Sequence, residues 1–464
     1  MSKRICVIFS KYGSKRCLLF FFILCLATAC TDKAVKESRI GEWTIYHFSN
    51  HTVSIDVVPL VGGRILQYRL GDHGFFFVNA DQLGKLLPPA TLGKVGAWGN
   101  QGGAKLWPAP QGWDGHNQWP GPPDPVLDGG AYTVLEKSDL SITLQSPDDK
   151  EYTGIRFTQK VSLDSTGSGI SFDVVMKNIS DQPIRWGIWS HVQLDASLSG
   201  SADFNHLHLL CPLNPDSRFE KGFDVIFGDK ENPSYRITAD SSKFEAEYLY
   251  KVGKVGIDSP GNWVATLNPK TGDVFVQKYA FVADAVYPEN SSVEVWTNGI
   301  GRYHAFGQDM AGENDPTQNP YILESEILSP YASLKPNEEY HWSFRWFATN
   351  LGEGETRIWN CMEAGVIASE PKAIILAKNG GHLDIQLSGK FGVFYPGKLV
   401  AEVLNSKGKT LTEVVLKEDI SPLHPVRLQN MDMKVPLEGA VLKLNILHPS
   451  LSARKTLALI PFER

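Results

Sequence analysis

Positive charge is in short supply in this chain of 464 residues: 45 Lys and Arg face 51 Asp and Glu, for a formal charge of −6. Without a basic field nothing neutralises phosphates, which excludes a nucleic-acid binder. A phosphate-cradling loop is missing, because Gly62-Gly63 is not followed by a Gly-Lys-Ser/Thr element. No Gly-x-Ser-x-Gly nucleophile elbow occurs. Cysteine is scarce: Cys6, Cys17, Cys25 and Cys30 cluster at the start, and only Cys211 and Cys361 come later. Two cysteines give no disulfide framework, and a chain this long buries a core without one. Helical periodicity is rare as well, with residues 354–366 the clearest short candidate.

What is present begins with a leader. Residues 1–16 carry five basic residues and no acid, and an apolar run from Cys17 ends in small residues at Ala29. This is the tripartite form of a secretory signal, too short for a comfortable membrane span. Leu26-Ala-Thr-Ala-Cys30 resembles the end of a bacterial lipoprotein signal, which implies lipidation of Cys30. The expected division is a signal over 1–29 and a polar tether over 30–38. The expected location is the periplasm, the outer membrane or the cell surface, with attachment through acyl chains. Loss of residues 1–29 would take the formal charge from −6 to −11, which suits a soluble body that avoids anionic surfaces.

Residues 39–360 read as strands almost throughout, with alternating Val, Ile, Phe, Tyr and Trp between Gly, Pro, Asn and Asp turns. The expected fold is all-β: a large antiparallel sandwich, then a small immunoglobulin-like sandwich over 371–464. Within the first lies an insertion, 84–130, holding eight prolines, eleven glycines and the tryptophans Trp98, Trp107, Trp113 and Trp119. A loop of that length in a compact domain is functional or disordered, and four Trp argue against disorder.

Val61-Gly-Gly-Arg-Ile65, Asn178-Ile-Ser-Asp-Gln-Pro-Ile184, Trp189-Ser-His-Val-Gln193, Tyr321 to Pro330 and Leu334-Lys-Pro-Asn-Glu-Glu339 succeed one another in order. In order and spacing they resemble the galactose mutarotase-like, or aldose 1-epimerase-like, superfamily. Asn337 stands where that pattern has glycine, and Asn also accepts left-handed backbone. Gly102-Gly-Ala-Lys-Leu-Trp-Pro-Ala-Pro-Gln111 resembles a bacterial lipoprotein branch of the superfamily. The resemblance spans roughly residues 45–350 and implies a supersandwich of strands. Fold alone does not fix function.

Along Ile184 to Asp195, alternation puts Arg185, Trp189, His191, Gln193 and Asp195 on one face. A polar face with an aromatic platform suits a pyranose, whose C–H faces lie on Trp while charged groups take the hydroxyls. Glu324 and Glu326 share a face of a later strand, so their carboxylates would split their proton affinities if buried. Mutarotation removes one proton from the anomeric hydroxyl and delivers one to the ring oxygen. The resemblance implies His191 as acid and Glu324 or Glu326 as base, and matches Arg64 to a substrate-binding arginine. No second histidine stands beside His191. Lys105, Trp107, Trp113 and Trp119 of the insertion are further ligand candidates, Lys105 toward a carboxylate or sulfate.

His206 and His208 lack a third ligand of diagnostic spacing, so no metal and no cofactor is expected. The expected partners are a mono- or oligosaccharide, a membrane through the lipid anchor, and a protein docked on the C-terminal domain. Function therefore reads as sugar binding with epimerase-like acid–base chemistry. The alternatives are non-catalytic sugar capture or a scaffold subunit of a glycan-handling surface complex.

Overall fold

The computed structural model describes residues 35–88, 92–93, 98–112, 117–198, 201–305 and 308–463. The expected signal, Cys30 and Trp113 lie outside them. Among the described residues there is no α-helix, and no helix is long and apolar enough to cross a membrane. They form sheets of 12, 10, 8 and 2 strands. The fold is all-β with large antiparallel sheets, as the alternation predicts. The strands Ile155–Leu163 and Ile170–Asn178 alternate buried and accessible side chains nearly residue by residue. Residues 354–366 are a correction: they form turns, the short strand Asn360–Cys361 and the start of Gly365–Asn379. Tertiary pairing overrides the weak local pattern there.

The 12-stranded and 10-stranded sheets face each other over one core that includes Tyr68, Phe76, Phe157, Phe172 and Trp346. A polar contact crosses it, where Ser325 Oγ donates to Gln277 Oε1 at 2.6 Å. The other face of the 10-stranded sheet is not left to water. Leu210, Trp263, Val274, Val276 and Phe347 join a second core with Phe391, Phe394, Leu399 and Leu444 of the C-terminal strands. Phe347 stacks on Phe394 at 4.4 Å. The C-terminal strands form an eight-stranded sheet, seven in one path and Asn360–Cys361 paired off it to Gly365–Asn379, with a single parallel pair, Gly365–Asn379 beside Lys455–Glu463. Cys211 and Cys361 are buried and unpaired.

Two turns anchor the insertion and the late strands. Gly62 has φ 73°, and a Cβ there would lie 2.1 Å from the Asp128 carbonyl. Only glycine lets the insertion close onto this turn. Asn337 has φ 66°, and its amide donates to the Asn178 carbonyl. Asn178 Nδ2 donates in return to Leu334 O at 3.0 Å, which ties the two later turns together.

Candidate functional site

Five adjacent strands of the 12-stranded sheet build one face: Ala104–Ala109, Ile184–Asp195, Ile322–Leu328, Val293–Thr297 and Gly253–Ile257. Cross-strand register puts Lys105, His191, Glu326 and Glu294 in one row. The next row is Gln193, Glu324, Trp296 and Lys254. Intervening residues such as Val192, Leu323, Val295 and Val255 point into the core. Period-two alternation thus sends every charged group to the outer face.

His191 Nε2 lies 3.0 Å from Glu324 Oε2, and Gln193 Nε2 donates to Glu324 Oε1 at 2.7 Å. The His191 ring is 1% exposed and packs against Trp107 at a centroid distance of 4.1 Å. Burial pulls the His191 pKa down, against the carboxylate beside it. Burial would raise Glu324, but His191, Gln193 and Lys105 outweigh it and hold the carboxyl below its ordinary value. Glu324 keeps 13% of its side chain exposed and marks where the face meets solvent.

Glu326 sits deeper. Its Oε2 accepts from Trp189 Nε1 at 2.9 Å and lies 3.7 Å from Lys254 Nζ. Lys254 Nζ is closer to Glu294 Oε2, at 2.7 Å, and sits 4.1 Å above the Trp189 ring. Burial pushes Glu326 well up, with Glu294 and Glu324 adding repulsion and Lys254 opposing. Lys254 is itself held above its ordinary value, because Glu294 and Glu326 overcome its burial. The two glutamates therefore differ: Glu324 is an accessible carboxylate, Glu326 a buried acid that favours its proton.

The insertion forms the roof. Asp128 accepts from Trp98 Nε1 at 2.8 Å and from Trp107 Nε1 at 3.0 Å. Asp124 accepts from Trp119 Nε1 at 2.7 Å, and burial raises its pKa to about 6 despite that bond. Trp107, Trp119 and Trp189 pack edge to face or tilted, with centroids 4.9 to 6.5 Å apart. Lys105 Nζ lies 3.8 Å from Asp128 and 4.8 Å from the Trp98 and Trp107 rings. Lys105 and Arg64 share Asp128; burial first, then repulsion from Arg64, lowers Lys105 to about 7 against the pull of Asp128 and Glu324.

Of the residues singled out from sequence, His191, Gln193, Glu324, Glu326, Trp189, Lys105 and Trp107 do meet on this face. Arg64 does not reach a ligand: it is wholly buried and donates to the carbonyls of Val61, Gly102 and Asp128. Its work is to hold the insertion to the sheet. Trp119 is 0% exposed and is a roof element, not a sugar platform. Trp189 likewise has no free face, being covered by Lys254, Trp107 and Trp119. Arg185 is exposed and stacks on Tyr331 at 3.9 Å, four residues along the strand from Trp189. Asp195 lines a separate cavity.

Sequence reasoning passes over Lys254, Glu294, Asp124 and Trp296, and reads Asp128 only as a turn residue beside Gly129-Gly130. The half-buried Trp296, edge-on to Tyr303 at 5.4 Å, is the aromatic beside Glu324 in register. A signal for Lys254 and Glu294 does exist: each is the lone charge inside a short, otherwise uncharged strand.

Four buried polar atoms here have no hydrogen-bond partner within the protein: Lys105 Nζ, His191 Nδ1, Gln193 Oε1 and Glu326 Oε1. Each such atom costs about 1–3 kcal/mol, so four around one ion pair are out of keeping with a purely structural role. His191, Glu324 and Glu326 also offer donor atoms within 4.8 Å of one another, enough to hold a metal ion. Lys254 beside Glu326 and Lys105 behind His191 set positive charge against a cation there. His206 and His208 pair with Glu247 and Glu245 instead, at 3.1 and 2.7 Å.

Residues 45–348 match the family described as "Domain of unknown function (DUF4380)". No curated protein matches the chain. Among solved structures, a galactose mutarotase-like protein from Lactobacillus casei is 10% identical, with TM-score 0.43 over 66% of this chain and 99% of that one. A galactose mutarotase related enzyme from Lactobacillus acidophilus is 12% identical, with TM-score 0.41 over 67% and 99%. A galactose mutarotase-like protein from Clostridium acetobutylicum is 14% identical, with TM-score 0.37 over 68% and 98%.

Proposed function

The chain belongs to the DUF4380 family, and from the geometry of the roofed face we propose that it binds a carbohydrate beside Glu324 and moves protons through the His191–Glu324 pair. The observation that carries this reading is the set of four partnerless buried polar atoms around that pair. Hydroxyl groups both donate and accept, and so can satisfy an amide oxygen, an imidazole nitrogen and an ammonium at once.

In this reading Glu324 is the base and Glu326 is not. Glu324 is held as a carboxylate and reaches solvent, whereas Glu326 favours its proton and is enclosed. Glu324 takes the proton of the anomeric hydroxyl, and protonated His191 gives one to the ring oxygen. The ring bond breaks, the open aldehyde rotates, and the reverse transfers close it as the other anomer. Burial lowers the His191 pKa, so the acid form fades as pH rises toward the ordinary histidine value of about 6.5. The rate should fall over that range.

The near-complete burial of His191 favours a second reading, capture of a sugar without turnover. Anomer exchange monitored by NMR separates the two. Wild type should accelerate exchange of a substrate sugar. His191→Ala and Glu324→Gln should lose about 10²- to 10⁴-fold while melting nearly as wild type. Line broadening of a sugar with no acceleration by wild type would replace the enzyme with the binder. A large loss of stability in both variants would show that the pair is structural.

We also propose an exported, lipid-anchored location, supported by the basic and apolar leader that ends at Cys30. In a bacterial host, labelled fatty acid should enter the wild-type chain and not Cys30→Ser. Equal labelling would refute the anchor.

A further inference from the structure

Away from the His191 face, a cavity of about 350 Å³ opens between the two large sheets. That falls within the usual range for small-molecule sites, about 300–1,000 Å³. Leu194 and Asp195 of the first sheet line it, as do Thr266, Asp273 and Phe275 of the second. Asp195 Oδ1 accepts from the Ser197 amide at 2.8 Å, and Asp273 Oδ1 accepts from Asn350 Nδ2 at 2.9 Å. The second oxygen of Asp273 lies 3.5 Å from Nδ1 of the partly exposed His73. Burial raises the Asp195 pKa, with the hydrogen bonds from Ser197 and the nearby His73 opposing it.

Two acids alone would not make a site. The independent observation lies in Thr266 and Asn205, which also line the cavity and are 5% and 8% exposed. Thr266 Oγ1 and Asn205 Oδ1 have no hydrogen-bond partner within the protein. Leaving a buried polar group unsatisfied is costly unless something else fills it. The apolar side of the cavity is made by Phe75 and Phe275, with ring centroids 5.9 Å apart.

The buried polar lining is therefore rich in acceptors and lies beside phenyl rings. It suits a ligand that donates several hydrogen bonds and also carries C–H surface. A bare cation is far smaller than the space and gains little from two such rings. We propose that this cavity binds a neutral polyhydroxylated ligand the size of one sugar ring, its hydroxyls on Asp195, Asp273 and Asn205 and its C–H face on Phe75 and Phe275. The inference is independent of turnover at His191 and Glu324.

The test is saturation-transfer NMR on the full chain with methyl α-D-glucopyranoside and methyl α-D-mannopyranoside. Both are blocked at the anomeric oxygen and cannot mutarotate. Transfer should appear with wild type and persist in Glu324→Gln. It should fall at least about fivefold in Thr266→Val and Asp195→Ala. Melting curves check that both variants fold. Thr266 is deep, so the partly exposed Asp195 carries the test if Thr266→Val unfolds. Absence of transfer in wild type would overturn the proposal. So would transfer that survives Asp195→Ala, or transfer lost in Glu324→Gln but kept in Asp195→Ala.

Discussion

The two ends of the molecule handle charge in opposite ways. On the C-terminal strands, Arg454 reaches Glu402 and Glu413, and Lys398 reaches Glu418, at the solvent boundary. On the roofed face, Lys254, Glu294 and Glu326 are each at most 4% exposed, and Lys105 and Asp128 are as deep. Exposed pairs contribute up to about 1 kcal/mol each and are readily lost or replaced. Buried charges cost several kcal/mol to desolvate, and similar apolar side chains often serve stability as well or better. Stability alone therefore does not account for the roofed face. Charges kept there against that cost are what the proposed sugar site rests on.

The contrast can be broken most sharply at Lys254. Lys254→Met leaves the Glu294 carboxylate buried without its cation, beside a Glu326 that favours its proton, and should cost about 3–5 kcal/mol in urea unfolding at neutral pH. A loss under about 1 kcal/mol would mean that the cluster is solvated and the contrast unfounded.

Lys105 sharpens it through pH. Its folded pKa is depressed to about 7 from 10.5. Between those values the unfolded chain binds the proton and the folded chain releases it, so stability rises with pH across the window. Wild type should gain stability from about pH 7 to about pH 10 relative to Lys105→Met. Parallel stability curves for the two would show that Lys105 is not desolvated.

The smallest effect belongs to the other end. Arg454→Ala should cost less than about 1 kcal/mol, and less again in high salt. A cost as large as that at Lys254 would erase the distinction between the two regions.

How much of the molecule is legible in its sequence depends on the range of each interaction. The all-β architecture is legible because alternation is local, and Ile155–Leu163 needs only its own sequence to declare two faces. The same alternation brings His191 and Gln193 to one side, and Glu324 with Glu326 to one side of another strand. Lys254 and Glu294 are not legible as a pair, because only the pairing of strands nearly forty residues apart makes them neighbours. Asp128 reads as a turn residue beside Gly129-Gly130, and the turn gives no hint that two indoles converge on its carboxylate. Trp119 and Trp189 read as sugar platforms because aromatics count the same by sequence whether they face a ligand or each other. The difference between Glu324 and Glu326 is one of depth, which alternation cannot express.

One consequence concerns anyone who would excise the family's portion of the chain. The matched stretch ends at residue 348, one residue after Phe347, whose ring lies flat on Phe394. A graft cut at that border would carry Trp263, Val274, Val276 and Phe347 into water as raw, uncovered surface. The later strands are cladding for a wall the earlier ones leave unfinished, and the smallest transplantable piece is longer than the family's outline.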